Sequence, residues 1–380
     1  MSEGESADLY LLCASSPRAD AAARIPAAAW PGVVERAEAH KVANLGFARW
    51  ADTVAVVPAA VKTARRRAMA RNLAFSGRLI EVLDALDAHR IEALPFKGPL
   101  LAELVFGGIA NRSFSDLDIL VPRQDLLRAC RLLGGLGYLP SSGAALDEEV
   151  RRTLRRGHHV VLQHEAHGTC VEVHWEMSGR YLPVALDFAT VRPFLGRVAF
   201  LDRRVWSLSP EAALLYYCVH GAREYWRILD HVVCVAWQWD RAAPDWDLFL
   251  DLARRWGASQ IALTGVGLAA AVFGLEPPPS VAGPLERSAS VRRLVARQRA
   301  RILQEDRLTM LRLRYLPEFL RMHWVHLGDA VHFGRWVVLR LTSSGAEDVT
   351  PITAAEPGVR PVSSPKRRWL RSGILAPRRR

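Results

Sequence analysis

No apolar run in this chain approaches the ~20 residues that a helix needs to cross a bilayer, because charges interrupt every hydrophobic stretch. A transmembrane helix is thereby excluded. Cysteine is scarce: Cys13, Cys130, Cys170, Cys218 and Cys234 are scattered and odd in number, which excludes a disulfide framework and suits reduced thiols packed as small hydrophobes. The opening Met-Ser-Glu-Gly-Glu-Ser-Ala-Asp is acidic and lacks the basic region of a signal peptide, so the expected location is cytoplasmic. Acid is missing from the C-terminus. Eight Lys or Arg and no Asp or Glu lie between Pro357 and Arg380, so eight of the net +12 charges sit there and the other 356 residues carry only +4. The main body is therefore barely basic, and the tail is either a solvated segment or a weak attachment to nucleic acid, anionic lipid or an acidic partner.

What is present fits an α+β protein of two or three subdomains with a sizeable core, half of its 380 residues being hydrophobic. Four regions separate. Residues 1–90 read as helical and end in a long helix from about Ala59 to His89 with apolar residues at helical spacing. A mixed core spans 91–207. A second helical region, 208–341, opens at Ser209-Pro210-Glu211, where serine caps, proline suits the first turn and glutamate meets the positive helix end. It includes arginine-rich helical stretches over about 289–304 and 308–327. Residues 342–380, rich in Ser, Thr, Pro, Ala and Gly before the basic end, read as a disordered tail.

The chemistry concentrates in the mixed core. In Ser115-Asp116-Leu117-Asp118-Ile119-Leu120-Val121, alternation points Asp116 and Asp118 to one side of a strand and the apolar residues to the other. Two carboxylates so placed repel unless a cation sits between them, and a hard divalent metal is the usual cation for oxygen donors; the plain alternative is a solvated strand face. Upstream, Lys97-Gly98 ends a short strand before a helical segment from Pro99 to Phe106, where backbone N–H groups and the lysine charge can approach phosphate. Arg112 is placed to clamp a phosphate or pair with the carboxylates, or simply to orient the strand. In Val171-Glu172-Val173-His174-Trp175, Glu172 and His174 share one face. This strand is expected to be the second arm of a hairpin whose first arm is His159–Gln163, and pairing it beside the acidic strand would assemble three carboxylates. His174 is then a donor to Glu172 or a structural histidine. Zinc is not expected: adjacent His158 and His159 should face opposite ways, and His164 and His167 fall in the turn. His220 and His231 read as satisfied helix histidines.

Lys97-Gly98, Phe106-Gly107-Gly108, Arg112, the Asp116–Val121 strand and the Val171–Trp175 strand together resemble the uncharacterised nucleotidyltransferase family of the DNA polymerase beta-like superfamily. Arg71-Asn72 with Leu79, Val82, Leu83 and Leu86, and His220-Gly221 with Trp226, Leu229 and Asp230, extend the resemblance over roughly residues 28–240. It implies a small mixed sheet with helices on one side and Mg²⁺ (or Mn²⁺) held by Asp116, Asp118 and Glu172. Lys97, Gly98 and Arg112 would lie on the nucleotide side, a nucleoside triphosphate would be substrate, and the acceptor would be a protein, peptide, small molecule or nucleic acid. The superfamily's turn is usually Gly-Ser or Gly-Gly, whereas Gly98-Pro99 here lacks the hydroxyl and one backbone donor. That departure motivates an alternative, a catalytically weakened nucleotide-binding or protein-interaction module. A third reading is a nucleic-acid-binding protein acting through its tail and arginine-rich helices.

Overall fold

Helix-spaced apolar residues build the N-terminal region of the computed structural model, which describes residues 11–18, 25–53, 58–179, 182, 184–302, 324, 325, 334 and 338. The tail expected from 342, and the helix expected over 308–327 apart from 324 and 325, lie outside the described residues. Trp30, Val33 and Ala37 form the buried stripe of α1 (Trp30–Ala39), and Trp30 meets Trp50 of α2 (Ala43–Thr53) edge to face at 5.4 Å. The long helix α3 (Ala59–Ala88) buries Leu79, Val82 and Leu86 against the sheet that follows.

That sheet is built from β1 (Leu94–Pro95), β2 (Asp116–Leu120), β3 (Tyr138–Pro140), β4 (His159–His164) and β5 (Cys170–His174), in the order β1-β2-β5-β4-β3. Between these strands lie α4 (Gly98–Leu104), α5 (Leu126–Gly135) and α6 (Leu146–Arg156). The hairpin expected from residues 159–175 is present as antiparallel β4 and β5, and β5 runs parallel to β2 with Asp118 opposite Glu172. Strand alternation divides the sheet cleanly. One face carries Leu117, Ile119, Val160, Leu162, Val171 and Val173, all fully buried under α3 and α5. The other carries Asp116, Asp118, Glu172, His174 and His159.

After the single helical turn α7 (Phe188–Val191), the hairpin β6 (Leu195–Phe200) and β7 (Arg203–Leu208) leads into α8 (Pro210–Arg223). Ser209 caps α8 as expected, its Oγ accepting from the Ala212 N–H at 3.3 Å. Helices α9 (Leu229–Ala242), α10 (Trp246–Arg255), α11 (Ser259–Phe273), α12 (Pro279–Arg287) and α13 (Ala289–Arg301) follow. They share a second apolar core with the N-terminal helices, so α8 and α9 are held from both sides. The resemblance implies helices on one side of the sheet; here α8 also reaches the polar face, where Arg223 meets His158. Among the described residues, no helix is long and apolar enough to cross a membrane.

The α8–α9 connection is tightly made. Tyr225 and Trp226 both adopt left-handed backbone angles, with φ of 56° and 52°, a conformation costly for residues bearing a Cβ. The Trp226 N–H donates to the Gly221 carbonyl at 2.8 Å, and the indole folds back onto Gly221, where a Cβ would lie 2.3 Å from a ring carbon. Gly221→Ala is therefore expected to destabilise the protein by about 1–3 kcal/mol through overpacking, although alanine ordinarily favours helix. Gly77→Ala in α3, where nothing lies within 4 Å of the added carbon, should be neutral or stabilising. Denaturant unfolding of the two variants checks this; a stabilised Gly221→Ala would overturn it.

Candidate active site

The register of β2, β5 and β4 lays the polar face out in rows. Asp118 and Glu172 are direct neighbours in one row, and His174 and His159 are neighbours in the next. Asp118 is the innermost carboxylate, with 2% of its side chain exposed. Its Oδ1 lies 3.2 Å from Lys97 Nζ and 3.2 Å from His174 Nε2. The same His174 nitrogen lies 3.2 Å from Glu172 Oε2, and His159 Nε2 is 3.7 Å from that oxygen.

These neighbours decide the charges. Burial alone would raise the pKa of Asp118, but Lys97 and the His174 hydrogen bond outweigh it and hold Asp118 well below the usual carboxylate range. Glu172 is likewise lowered to about 2 against its burial, by His174 and His159. Asp116, half-buried and nearer the surface, goes the other way. Burial and the charges of Asp118 and Glu172 raise it to about 7. Burial pulls the Lys97 ammonium down, yet Asp118 more than compensates and keeps it charged. His174 is raised by its two carboxylates despite burial, whereas His159 is lowered to about 4 because burial outweighs Glu172.

The turn before α4 is as close to the acidic strand as its residue type allows. Gly98 has φ +55°, and a Cβ there would meet the Asp116 carbonyl at 3.2 Å. Lys97 is thus fixed beside Asp118. Arg112, offered a phosphate or the strand carboxylates by the sequence, has another partner: its Nη2 donates to Asp230 Oδ2 of α9 at 2.9 Å, with both side chains at or below 10% exposure. The Arg112 carbonyl accepts from Asn72 Nδ2 of α3 at 2.8 Å and from Asn44 Nδ2 of α2 at 3.2 Å. Arg112 therefore knots together α2, α3 and α9. The reason is reach and burial, since Asp230 offers a buried carboxylate where the Asp116–Asp118 strand already has Lys97.

The expected separation of His158 and His159 does not occur. His158 precedes β4 at a bend, where strand alternation does not apply, and its ring lies 4.5 Å from that of His159 and 5.7 Å from that of His174. Donor atoms of these three histidines all lie within 4.8 Å of one another. Nor are His220 and His231 fully satisfied among the described residues, where the Nδ1 of each is buried without a hydrogen-bond partner. A residue the sequence reading passed over, Arg223, donates to His158 Nε2 at 3.1 Å and is fully charged despite burial, with Glu224 its nearest counter-charge. Its position three residues after His220 on one helix was the available signal.

Among the described residues, two donor sets can hold a metal, Asp118–Glu172–His174 and His158–His159–His174. The first contains two ionised carboxylates and fits a divalent cation on charge. The second faces Arg223, which opposes one. A family model described as an uncharacterised nucleotidyltransferase matches residues 26–274. No curated protein and no solved structure matches the chain.

The Arg112–Asp230 pair generates a stability prediction. Arg112→Met leaves a buried carboxylate uncompensated and should cost roughly 3–5 kcal/mol, while a second change, Asp230→Leu, should recover much of the loss. A double-mutant cycle in urea measures both. A single variant of unchanged stability but weakened nucleotide binding would instead give Arg112 a ligand role.

Proposed function

The chain belongs to the uncharacterised nucleotidyltransferase family, and on that premise we propose that it transfers a nucleoside monophosphate from a nucleoside triphosphate to an acceptor hydroxyl, with a divalent metal such as Mg²⁺ held by Asp118 and Glu172 and joined by Asp116. The observation that carries this reading is the Asp118–Glu172 register of parallel β2 and β5, which puts a third acid beside the Asp-x-Asp pair. When bound, the metal supplies positive charge to the triphosphate and to the departing pyrophosphate.

The remaining roles fall to the chain's own groups. Lys97, on a flexible stem beside Asp118, is the nearest point charge for the phosphates. Arg223 adds a second cation on the far side, with its fork free to trade His158 for a phosphate oxygen. The acceptor oxygen attacks the α-phosphorus, the bond to the β-phosphate oxygen breaks, and the hydroxyl proton needs a base. Asp116, on the same strand face as Asp118, receives it on a carboxylate oxygen that the metal leaves open. Burial of Lys97 and His174 keeps water from the inner side of the site.

The Gly98-Pro99 turn and the Lys97–Asp118 pair favour one second reading, nucleotide binding without turnover. Both are tested by following pyrophosphate release from a panel of labelled nucleoside triphosphates with Mg²⁺ or Mn²⁺. Asp118→Asn and Glu172→Gln should each lower release by about 10²-fold or more, and Asp118→Asn should also lose some stability because Lys97 loses its partner. Wild-type protein that binds a triphosphate but releases no pyrophosphate with any acceptor class would replace the transferase reading with the second.

A further inference from the structure

The donors around the acidic pair are not all oxygens. His174 Nε2 stands 3.2 Å from Asp118 Oδ1 and 3.2 Å from Glu172 Oε2. Neighbouring ligands of an octahedral ion with bonds of about 2.0–2.2 Å are separated by about 3 Å, so the two edges from His174 Nε2 already have the spacing of a coordination shell, and the donor atoms of all three residues lie within 4.8 Å of one another. As hydrogen bonds between charged groups the same contacts are long. A single N–H is shared between two carboxylates at a distance longer than the ~2.7–2.9 Å of charge-assisted bonds, and the other ring nitrogen, Nδ1, is buried with no hydrogen-bond partner among the described residues. The ring is nevertheless held firmly, stacked on His159 at 4.8 Å and set edge-to-face against Phe96 at 5.0 Å. Packing, more than hydrogen bonding, aims this imidazole at the gap between the two carboxylates.

We propose that His174 is a direct metal ligand, making the centre a mixed nitrogen–oxygen site that takes a first-row transition ion such as Mn²⁺ in preference to Mg²⁺. This rests on the reading of Asp118 and Glu172 as metal ligands. Mg²⁺ favours oxygen donors and retains its waters, whereas an imidazole adds affinity for transition ions. Lys97 touches the same Asp118 oxygen, so an ion there would compete with its ammonium, for which the triphosphate would supply the replacement anion.

The test uses the full chain and Mn²⁺ alone. Pulsed electron paramagnetic resonance on wild-type protein labelled with ¹⁵N-histidine should show hyperfine coupling to a coordinated imidazole nitrogen. The coupling should disappear in His174→Gln and persist in His159→Gln. In competition titrations, wild-type protein should prefer Mn²⁺ over Mg²⁺ by about 10-fold or more, and His174→Gln should lose most of that preference. Mn²⁺ bound with no nitrogen coupling in wild-type, and lost in Asp118→Asn, would overturn ligation by His174 while leaving the carboxylate site standing. Coupling that survives in His174→Gln or vanishes in His159→Gln would overturn the assignment to this residue. Wild-type protein that binds neither ion would remove the carboxylate site and this inference together. If His174→Gln fails to fold, His158→Gln and His159→Gln decide together: coupling that persists in both keeps the assignment, and coupling lost in either overturns it.

Discussion

A carboxylate with 2% of its side chain exposed cannot stay ionised inside a protein without charge supplied around it, and Asp118 organises its surroundings accordingly. Lys97 arrives from the turn before α4, which approaches closely because Gly98 has no side chain to strike the Asp116 carbonyl. His174 arrives from β5, one row along from Glu172. The same requirement explains why the three carboxylates differ. Asp118 and Glu172 share the cations and imidazoles, while Asp116 is raised first by its burial and then by their negative charge.

The sheet works as a two-sided plate whose register both sides enforce. A slip of one residue in β2 or β5 would turn Asp118 or Glu172 into the layer formed with Leu79, Val82 and Leu133, and bring Ile119 or Val173 into the polar cluster. The packing of α3 and α5 thus fixes the acidic row as surely as the polar contacts do. The opposite face would lie open without the C-terminal helices. Arg223 of α8 reaches His158, and α9 is tied down at its first turn, where the Leu229 N–H donates to His40 Nδ1 and Asp230 takes Arg112.

Period-two alternation made much of the site legible in the sequence. Asp116 with Asp118, and Glu172 with His174, each share a face, and the short Gly168-bearing connection between β4 and β5 announces the hairpin. What was illegible has two physical origins. His158 lies one residue outside β4, at a bend, so a rule that holds within strands placed it on the wrong side. Arg112 and Arg223 depend on partners distant in sequence: local charge offered Arg112 the nearby aspartates, whereas the fold delivers Asp230, and nothing near Arg223 points to His158. The Trp226–Gly221 contact is intermediate. The residues stood out in the sequence, but only the backfolded turn explains the need for a missing Cβ.

The span of the Arg112–Asp230 bridge, 118 residues, bears on how the molecule comes into being. Strands β1 to β5 are complete by His174 and can pair while the ribosome is still adding the helices. The loop carrying Arg112 has no carboxylate to meet until Asp230 has left the exit tunnel, and the polar face has no lid until α8 arrives. Chain growth at about 5–20 residues per second separates these events by seconds. During that interval the nascent sheet exposes its charged row to solvent, and the finished centre comes into existence only after the chain has been read well past the strands that carry its acidic row.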